Sequence, residues 1–468
     1  MLFLSRSPAV ALCGQAKEAF RVIRTAKGGE TVRQMPLEIE ASRPDLSEAT
    51  RTWAKIGLLS FGGPAGQIAL MHRILVDEKR WIDDRRFLSG LNFCMLLPGP
   101  EAMQLATYVG WRLHGVRGGL IAGLLFVLPG ALIMLALALA YARFGSAPAL
   151  EAVFLGIKAA VLAIVVEALL RVARKALQRP LDWAIAGAAF VAIFFLKVPF
   201  PLIVVGAGIV GYMRGRGAPT IAGEPAAVPV PLSATARTVA IWSAIWVLPL
   251  LAVAALFGPG HVLTELAWLY SKLALVTFGG AYAVLAYLAQ EVVETYGWLS
   301  PGEMLDALGL AETTPGPLIL VTEFVGTLAA WRHGGGNPVF MGILGALVTL
   351  WATFAPCFLW IFAGAPYIER LNAIPALRAA LSTITSAVVG VILNLSVWFA
   401  LHVLFAKLEP WTWGPFDVEV PQWTSLHIEA AGLAALAALL LFGLHRGVVT
   451  TLGVTGAVAL ALHAAGLV

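Results

Sequence analysis

The sequence predicts an all-α polytopic membrane protein: two inverted-topology repeats of six apolar segments each, joined by one linker helix. Three observations lead there. First, 59% of the 468 residues are hydrophobic and only 13% are charged. Ordinary soluble domains carry about 25% charged and 45–50% apolar residues, so the bilayer has to be the solvent. Second, thirteen apolar segments can be marked, an odd number with one unpaired in the middle. Third, residues 61–100 align without a gap onto 278–317, with 11 identities in 40. Six of the matches fall on Gly, Pro and Trp, which are not interchangeable with aliphatics. The matches include Phe-Gly-Gly, the pair Trp81/Trp298, and Pro98-Gly99-Pro100 with Pro315-Gly316-Pro317.

Residues 1–51 hold eight Lys/Arg and no apolar run long enough for a signal-peptide core, and are expected to form a cytoplasmic N-terminal extension. The first repeat, 52–214, contains segments 53–76, 87–113, 117–143, 150–174, 182–196 and 199–213. A Pro/Ala-rich stretch, Gly215 to Arg237, precedes the unpaired segment 239–257, so 215–260 is the linker with its helix. The second repeat, 261–468, contains 262–289, 303–331, 338–364, 374–405, 425–444 and 447–466. An odd segment between two even halves turns the second half upside down relative to the first, a recurring plan in secondary transporters.

Loop charge tests the topology. If all thirteen segments span and the N-terminus is inside, 20 loop Lys/Arg lie inside and 9 outside. If 53–76, 87–113 and their two counterparts are re-entrant hairpins, the distribution becomes 25 inside and 4 outside. The hairpin arrangement is therefore preferred. It places the N-terminus in the cytoplasm and the C-terminus outside a multi-pass inner (plasma) membrane protein.

Phe61-Gly62-Gly63-Pro64 interrupts 53–76, and Leu97-Pro98-Gly99-Pro100 interrupts 87–113. Glycine permits reversals and proline removes a backbone donor, so each segment divides into two half-helices. Non-helical backbone at membrane depth requires protein or a water-filled cavity around it. The half-helices that follow start at Ala65 and Glu101, and in the second repeat at Ala281 and Leu318. Helix N-termini present unpaired N–H groups and partial positive charge, which makes them oxyanion sites. The alternative for Gly and Pro here is kinking and close helix packing.

The candidate substrate-binding residues are Gly62, Gly63, Pro64, Gln67, Pro98, Gly99, Pro100 and Lys158, with Gly279, Gly280, Thr313, Thr314, Pro315, Gly316 and Pro317 from the second repeat. Lys158 lies well inside an apolar segment, where a charge is a functional hypothesis by default. Thr313 and Thr314 can donate to an oxyanion or bond back to helix carbonyls. Lys55 and Lys272, six residues before each Phe-Gly-Gly, add countercharge or snorkel to the interface. Glu101 either satisfies the helix dipole or titrates as a coupling acid. Asn92 and Gln104 are further polar groups near the breaks. Glu167 is expected to pair with Arg171, and Arg112 and Arg332 to act as interfacial anchors.

Other classes find little support. Three cysteines occur far apart without a ligand partner at metal-site spacing, and no Walker A sequence is present. An enzyme, and any cofactor, is not expected; a membrane-embedded reductase would need a redox centre. Lipid is an expected partner and nucleic acid is not, with a homodimer left open.

At these motifs the chain resembles the chromate ion transporter family in its long two-domain form. The carrying residues are "GLLSFGGPAGQIA" (57–69), "LPGPEAMQLATYVGWRLHG" (97–115), "GIKAAVLAIV" (156–165), "FGGAYAVLAYLAQEVV" (278–293) and "TTPGPLILVTEFVGTLAAW" (313–331). The resemblance implies export of chromate, a tetrahedral oxyanion dianion, from the cytoplasm, and so chromate resistance. The alternative is a permease or channel for sulfate or another oxyanion. The second copy has Ala281 where the first has Pro64 and Leu318 where it has Glu101, so any coupling acid is expected in the first half.

Overall fold

The Asp45 carboxylate accepts the amide of Ser47 and thereby starts the first helix, α1 (Leu46–Leu59). In this computed structural model the described residues are 44–145, 147–217, 231–278, 281–368, 371, 374–414 and 416–467. The extension through residue 43, linker residues 218–230, and two candidate site residues, Gly279 and Gly280, lie outside them. The cap at Asp45 carries α1 six residues into the stretch read as extension.

α1 stops at Ser60, and α2 (Gly63–His72) follows two positive-φ glycines, Gly62 at 84° and Gly63 at 70°. A π turn (Arg73–Glu78) leads to α3 (Asp84–Leu96), which stops at Leu97. α4 (Glu101–Phe144) begins immediately after Pro100. It runs 44 residues but reverses at His114 and Gly115, where Gly115 has φ 61°, so it is two helices folded against each other. Close backbone approach allows the fold: a Cβ on Gly110 would lie 2.4 Å from the Gly118 carbonyl oxygen. α5 (Pro148–Ala176), α6 (Pro180–Phe194) and α7 (Phe200–Gly215) complete the first half.

Linker helix α8 spans Leu232–Phe257 and starts seven residues before the apolar segment, because Pro231 opens an Ala/Thr-rich helical turn. The second half repeats the pattern with α9 (Val262–Val276), α10 (Ala281–Ala289), a π turn (Gln290–Thr295) and α11 (Pro301–Thr313). A 3-10 turn (Leu318–Leu320), α12 (Val321–His333), α13 (Pro338–Gly364) and α14 (Pro375–Leu404) follow. Among the described residues the chain then departs from helical structure in an antiparallel hairpin, β1 (Leu408–Trp413) with β2 (Phe416–Pro421). This hairpin was not expected, because its Trp, Val and Thr residues sit in a short polar loop without a hydrophobic run. α15 (Ile428–Ala438) and α16 (Val448–Ala464) close the chain.

Among the described residues five helices are long and apolar enough to cross a membrane: α4, α5, α8, α13 with its continuation to Tyr367, and α14. Four shorter apolar helices lie at Pro180–Phe194, Phe200–Gly215, Ile428–Gly443 and Val448–Ala464. At 1.5 Å per residue the 15 residues of α6 reach about 22 Å, short of the ~30 Å hydrocarbon core. The chain is thus a multi-pass, helical membrane protein.

The two halves exchange partners. α14 of the second packs on α6 and α7 of the first, and α5 of the first packs on α15 and α16 of the second. Glycines let both crossings close. A Cβ on Gly390 would lie 2.1 Å from the Ala186 carbonyl oxygen, and one on Gly156 2.3 Å from that of Thr455.

Candidate functional site

The helix breaks meet in space, and they do so reciprocally. The Gly99 amide donates to the Thr277 carbonyl at 2.9 Å, and the Gly316 amide donates to the Ser60 carbonyl at 2.8 Å. Gly99 and Gly316 are equivalent positions 217 apart, as are Ser60 and Thr277. Each Pro-Gly-Pro break is therefore tied to the residue before the other half's Phe-Gly-Gly. Gly99 has φ 119° and Gly316 φ 90°, conformations that favour glycine. The Gln67 Nε2 adds a second link, donating to the Gly316 carbonyl at 2.6 Å and to that of Ser60 at 3.3 Å. Gln104 fixes the other break by donating to the Pro98 carbonyl at 2.7 Å.

This junction fills several hydrogen-bond groups that the sequence assigns to substrate. The Gly99 and Gly316 amides and the Gln67 NH2 are used in holding the breaks together. Thr313 donates to the Leu310 carbonyl at 2.8 Å and Thr314 to that of Ala311 at 3.2 Å, so both hydroxyls bond back into α11. Pro317 precedes the 3-10 turn, and the Pro315 carbonyl faces Gly130, where a Cβ would lie 2.0 Å from its oxygen.

Open space lies on one side of the junction. A cavity of about 850 Å3 is lined there by Pro64, Ala65, Gly99, Glu101 and Tyr282, the last in the first turn of α10. The starts of α2, α4 and α10 all border it, and nothing lies within 4 Å of where a Cβ on Gly62 or Gly63 would stand. The cavity reaches the C-terminal ends of α5 and α7 and the N-terminal ends of α6 and α14. There it is lined by Arg171, Lys175, Arg179, Arg214 and Arg378, against the acids Glu101 and Asp182. Asp182 accepts the backbone amide of Arg179 at 3.0 Å. Arg171 pairs with Glu167 at 2.6 Å, the expected i,i+4 pair. Lys175, Arg214 and Arg378 have no ion-pair partner among the described residues.

At the other end of α14 the space is narrow. The cavity there is about 30 Å3, lined by Lys197, Gln290, Glu294, Asn394, Trp398 and Glu419. Trp398 stands 227 positions after Arg171, the same spacing that separates the Pro-Ala-Leu starts of α5 and α14. Equivalent positions thus line a wide basic cavity on one face and a narrow one bearing two glutamates on the other. The flanking helices show the same asymmetry. Met95 on α3 is 41% exposed, whereas Glu312, its equivalent on α11, is 6% exposed and accepts from the Tyr282 hydroxyl at 2.7 Å. α11 lies directly on α5: a Cβ on Gly309 would stand 2.1 Å from Ile157 Cγ2.

Lys158 belongs to this narrow side and does not reach the breaks. Its Nζ lies 3.3 Å from Asp306 Oδ2 on α11, and the Tyr141 hydroxyl donates to the same oxygen at 2.7 Å. The equivalents of Lys158 and Asp306 on the open side are Thr385 and Ser89, neither charged, and Thr385 lines the large cavity. Lys272 is paired with Glu291 at 3.3 Å and lies over the Tyr287 ring, away from the breaks, while Lys55 is exposed on α1. Arg332 binds Glu303 with two nitrogens, at 2.5 and 3.1 Å, rather than serving only as an interfacial anchor. Arg112 and Asn92 are exposed.

Sequence reasoning missed Asp306, Glu312, Tyr141 and Tyr282, and also Glu323, which is 1% exposed with Oε2 unpartnered among the described residues. Three acids buried inside one apolar segment, 303–331, were the available signal.

A chromate transporter family model matches residues 47–212 and 264–461. The chain is 31% identical over 352 residues to a chromate transport protein of Cupriavidus metallidurans, covering 74% of this chain and 80% of the relative. It is 35% identical over 361 residues to a chromate transport protein of Pseudomonas aeruginosa, covering 75% and 81%. An uncharacterized transporter of Methanocaldococcus jannaschii is 26% identical over 364 residues, covering 77% and 86%. No solved structure matches.

Proposed function

The chain belongs to the chromate transporter family, and from that premise we propose that it is a secondary active transporter exporting chromate from the cytoplasm and so conferring chromate resistance. The observation that carries the reading is the crossed junction of breaks, open to a basic cavity on one face and narrowed on the other, where half-buried Lys158 pairs with buried Asp306. Chromate is a tetrahedral dianion, and the first turns of α2 and α4 offer it N–H groups and partial positive charge. The residues proposed to surround it are Gly62, Gly63, Pro64 and Pro100, with Tyr282 opposite and Glu101 as the coupling acid at the cavity edge.

The exchange of hydrogen bonds between equivalent positions supports two repeats, 52–214 and 261–468, related by a two-fold axis. Placing that axis in the membrane plane inverts the second repeat. α1–α2, α3 with the first half of α4, and their counterparts then dip in as hairpins and return. The face bearing the basic cavity becomes cytoplasmic under the positive-inside rule, with the C-terminus outside a plasma membrane. One open and one closed end around a fixed central site is the geometry of alternating access. Moving a dianion outward down an inside-negative potential releases roughly 4.6 kcal/mol per 100 mV, from ~2.3 per charge.

The test is chromate uptake into everted membrane vesicles from expressing cells, with sulfate as competitor. Saturable, energy-dependent uptake that sulfate inhibits only weakly is expected. Uptake no greater than in vesicles lacking the protein would sink the reading, and equal preference for sulfate would make the protein a general oxyanion permease.

A further inference from the structure

Arg378 occupies an electrostatically adverse place. It is in the first turn of α14, where the positive end of the helix dipole disfavours a cation and favours an acid. The equivalent position of α5, 227 residues earlier, obeys the rule with Glu151 in the same Pro-Ala-Leu-X context. Arg179 repeats the anomaly as the N-cap of α6. Helix-dipole complementarity explains Arg171, Lys175 and Arg214 near the C-terminal ends of α5 and α7, but not these two. All five side chains line the same cavity, whose formal charge is positive even after Glu101 and Asp182 are counted. The small opposite cavity sets two glutamates against one lysine.

We propose that Lys175, Arg214 and Arg378 form a second anion-binding site at the mouth of the cavity, separate from the helix breaks, which captures multivalent oxyanions. The inference rests on the transport reading above and names what that cavity selects. Lys175, Arg214 and Arg378, with Arg179 beside them, are stabilised when an anion enters between them. Low-dielectric walls focus the field inside the cavity. The energy of a dianion there is twice that of a monoanion, so capture discriminates by charge before the substrate reaches the breaks. The acidic opposite face holds a released dianion less well, which favours one direction of travel.

The bland alternative is that these residues are topological anchors, as Lys/Arg at cytoplasmic helix ends commonly are. Arg174 separates the two readings. It lies on the same end of α5 and is exposed, as Lys175, Arg214 and Arg378 are, but unlike them it does not line the cavity.

The experiment measures initial rates of uptake into everted vesicles for chromate and for the monovalent perrhenate, at low and high ionic strength. The variants are Lys175→Gln, Arg214→Gln, Arg378→Gln, the triple variant, and Arg174→Gln. Each single neutralisation in the cavity is expected to raise the chromate KM about threefold and the perrhenate KM less than twofold, with kcat kept. High salt should shrink the difference, and Arg174→Gln should match wild type. Unchanged KM in the triple variant, with wild-type uptake intact, would overturn the capture site while leaving the transport reading standing. A fall in kcat at fixed KM would also overturn it, by placing these residues in translocation. Failure of wild type to transport either anion would instead count against the transport reading.

Discussion

Replacing Lys158 by methionine removes one half of the ion pair that holds α11 to α5 on the closed face. At 3.3 Å and an effective dielectric of about 20, the gross attraction to Asp306 is about 5 kcal/mol. Breaking a fully buried pair by removing one partner costs ~3–5 kcal/mol; with the Lys158 side chain 25% exposed and only Asp306 buried, the cost here falls below that range. Asp306 keeps the Tyr141 hydroxyl, and when the face opens it regains water. If about 2 kcal/mol of the loss falls on the closed state alone, the closed-to-open ratio drops roughly thirtyfold. A cysteine placed behind the pair reads this out. Val161 is buried beneath Gly309, 3.3 Å from where a Cβ there would stand, and valine to cysteine is nearly isosteric. In a background of Cys13→Ser, Cys94→Ser and Cys357→Ser, Val161→Cys should resist a membrane-impermeant maleimide added to intact cells. Adding Lys158→Met should speed labelling by tens-fold, and the swap Lys158→Asp with Asp306→Lys should restore protection. Labelling that stays slow in Lys158→Met while transport is lost would refute the gate and return Lys158 to the substrate path.

Two further outcomes test the junction and the coupling acid. Gly99→Ala meets both φ 119° and a Cβ 2.7 Å from Gln104 Nε2, so it should cost about 1–3 kcal/mol, whereas Gly62→Ala, with φ 84° and open space, should cost about 1 kcal/mol. Thermal unfolding in detergent should rank Gly99→Ala as clearly less stable than Gly62→Ala; the reverse order would mean that the crossed breaks do not hold the fold. Glu101→Gln should keep chromate counterflow near the wild-type rate while losing accumulation driven by a pH gradient. Loss of both would assign Glu101 to dipole satisfaction instead.

The break positions were legible because glycine and proline leave few options: the left-handed φ of Gly62, Gly63, Gly99 and Gly316 is a local demand, visible as a motif. The repeat was legible for the same reason. What joins the breaks was not, since an amide at Gly99 reaching Thr277 depends on how distant segments pack. Lys158 stood out as a charge inside an apolar segment, but its partner Asp306 sits 148 positions away on another helix, and no periodicity links the two. The basic cavity was not legible from sequence. Arg171, Lys175, Arg214 and Arg378 lie on three different helix ends that only the exchanged packing of α5, α7 and α14 brings together. The β1–β2 hairpin was invisible because six-residue strands in a polar loop carry no apolar alternation strong enough to register.

The most direct measurement is the accessibility of Met95→Cys, which lines the large cavity three residues before the Pro98-Gly99-Pro100 break, in the background of Cys13→Ser, Cys94→Ser and Cys357→Ser. With the open cavity cytoplasmic and on the substrate path, an impermeant maleimide should label it rapidly in everted vesicles, slowly in intact cells, and more slowly in everted vesicles when chromate is added. Rapid labelling in intact cells, or labelling in vesicles that chromate leaves unchanged, would contradict an oxyanion path that opens inward through the crossed breaks.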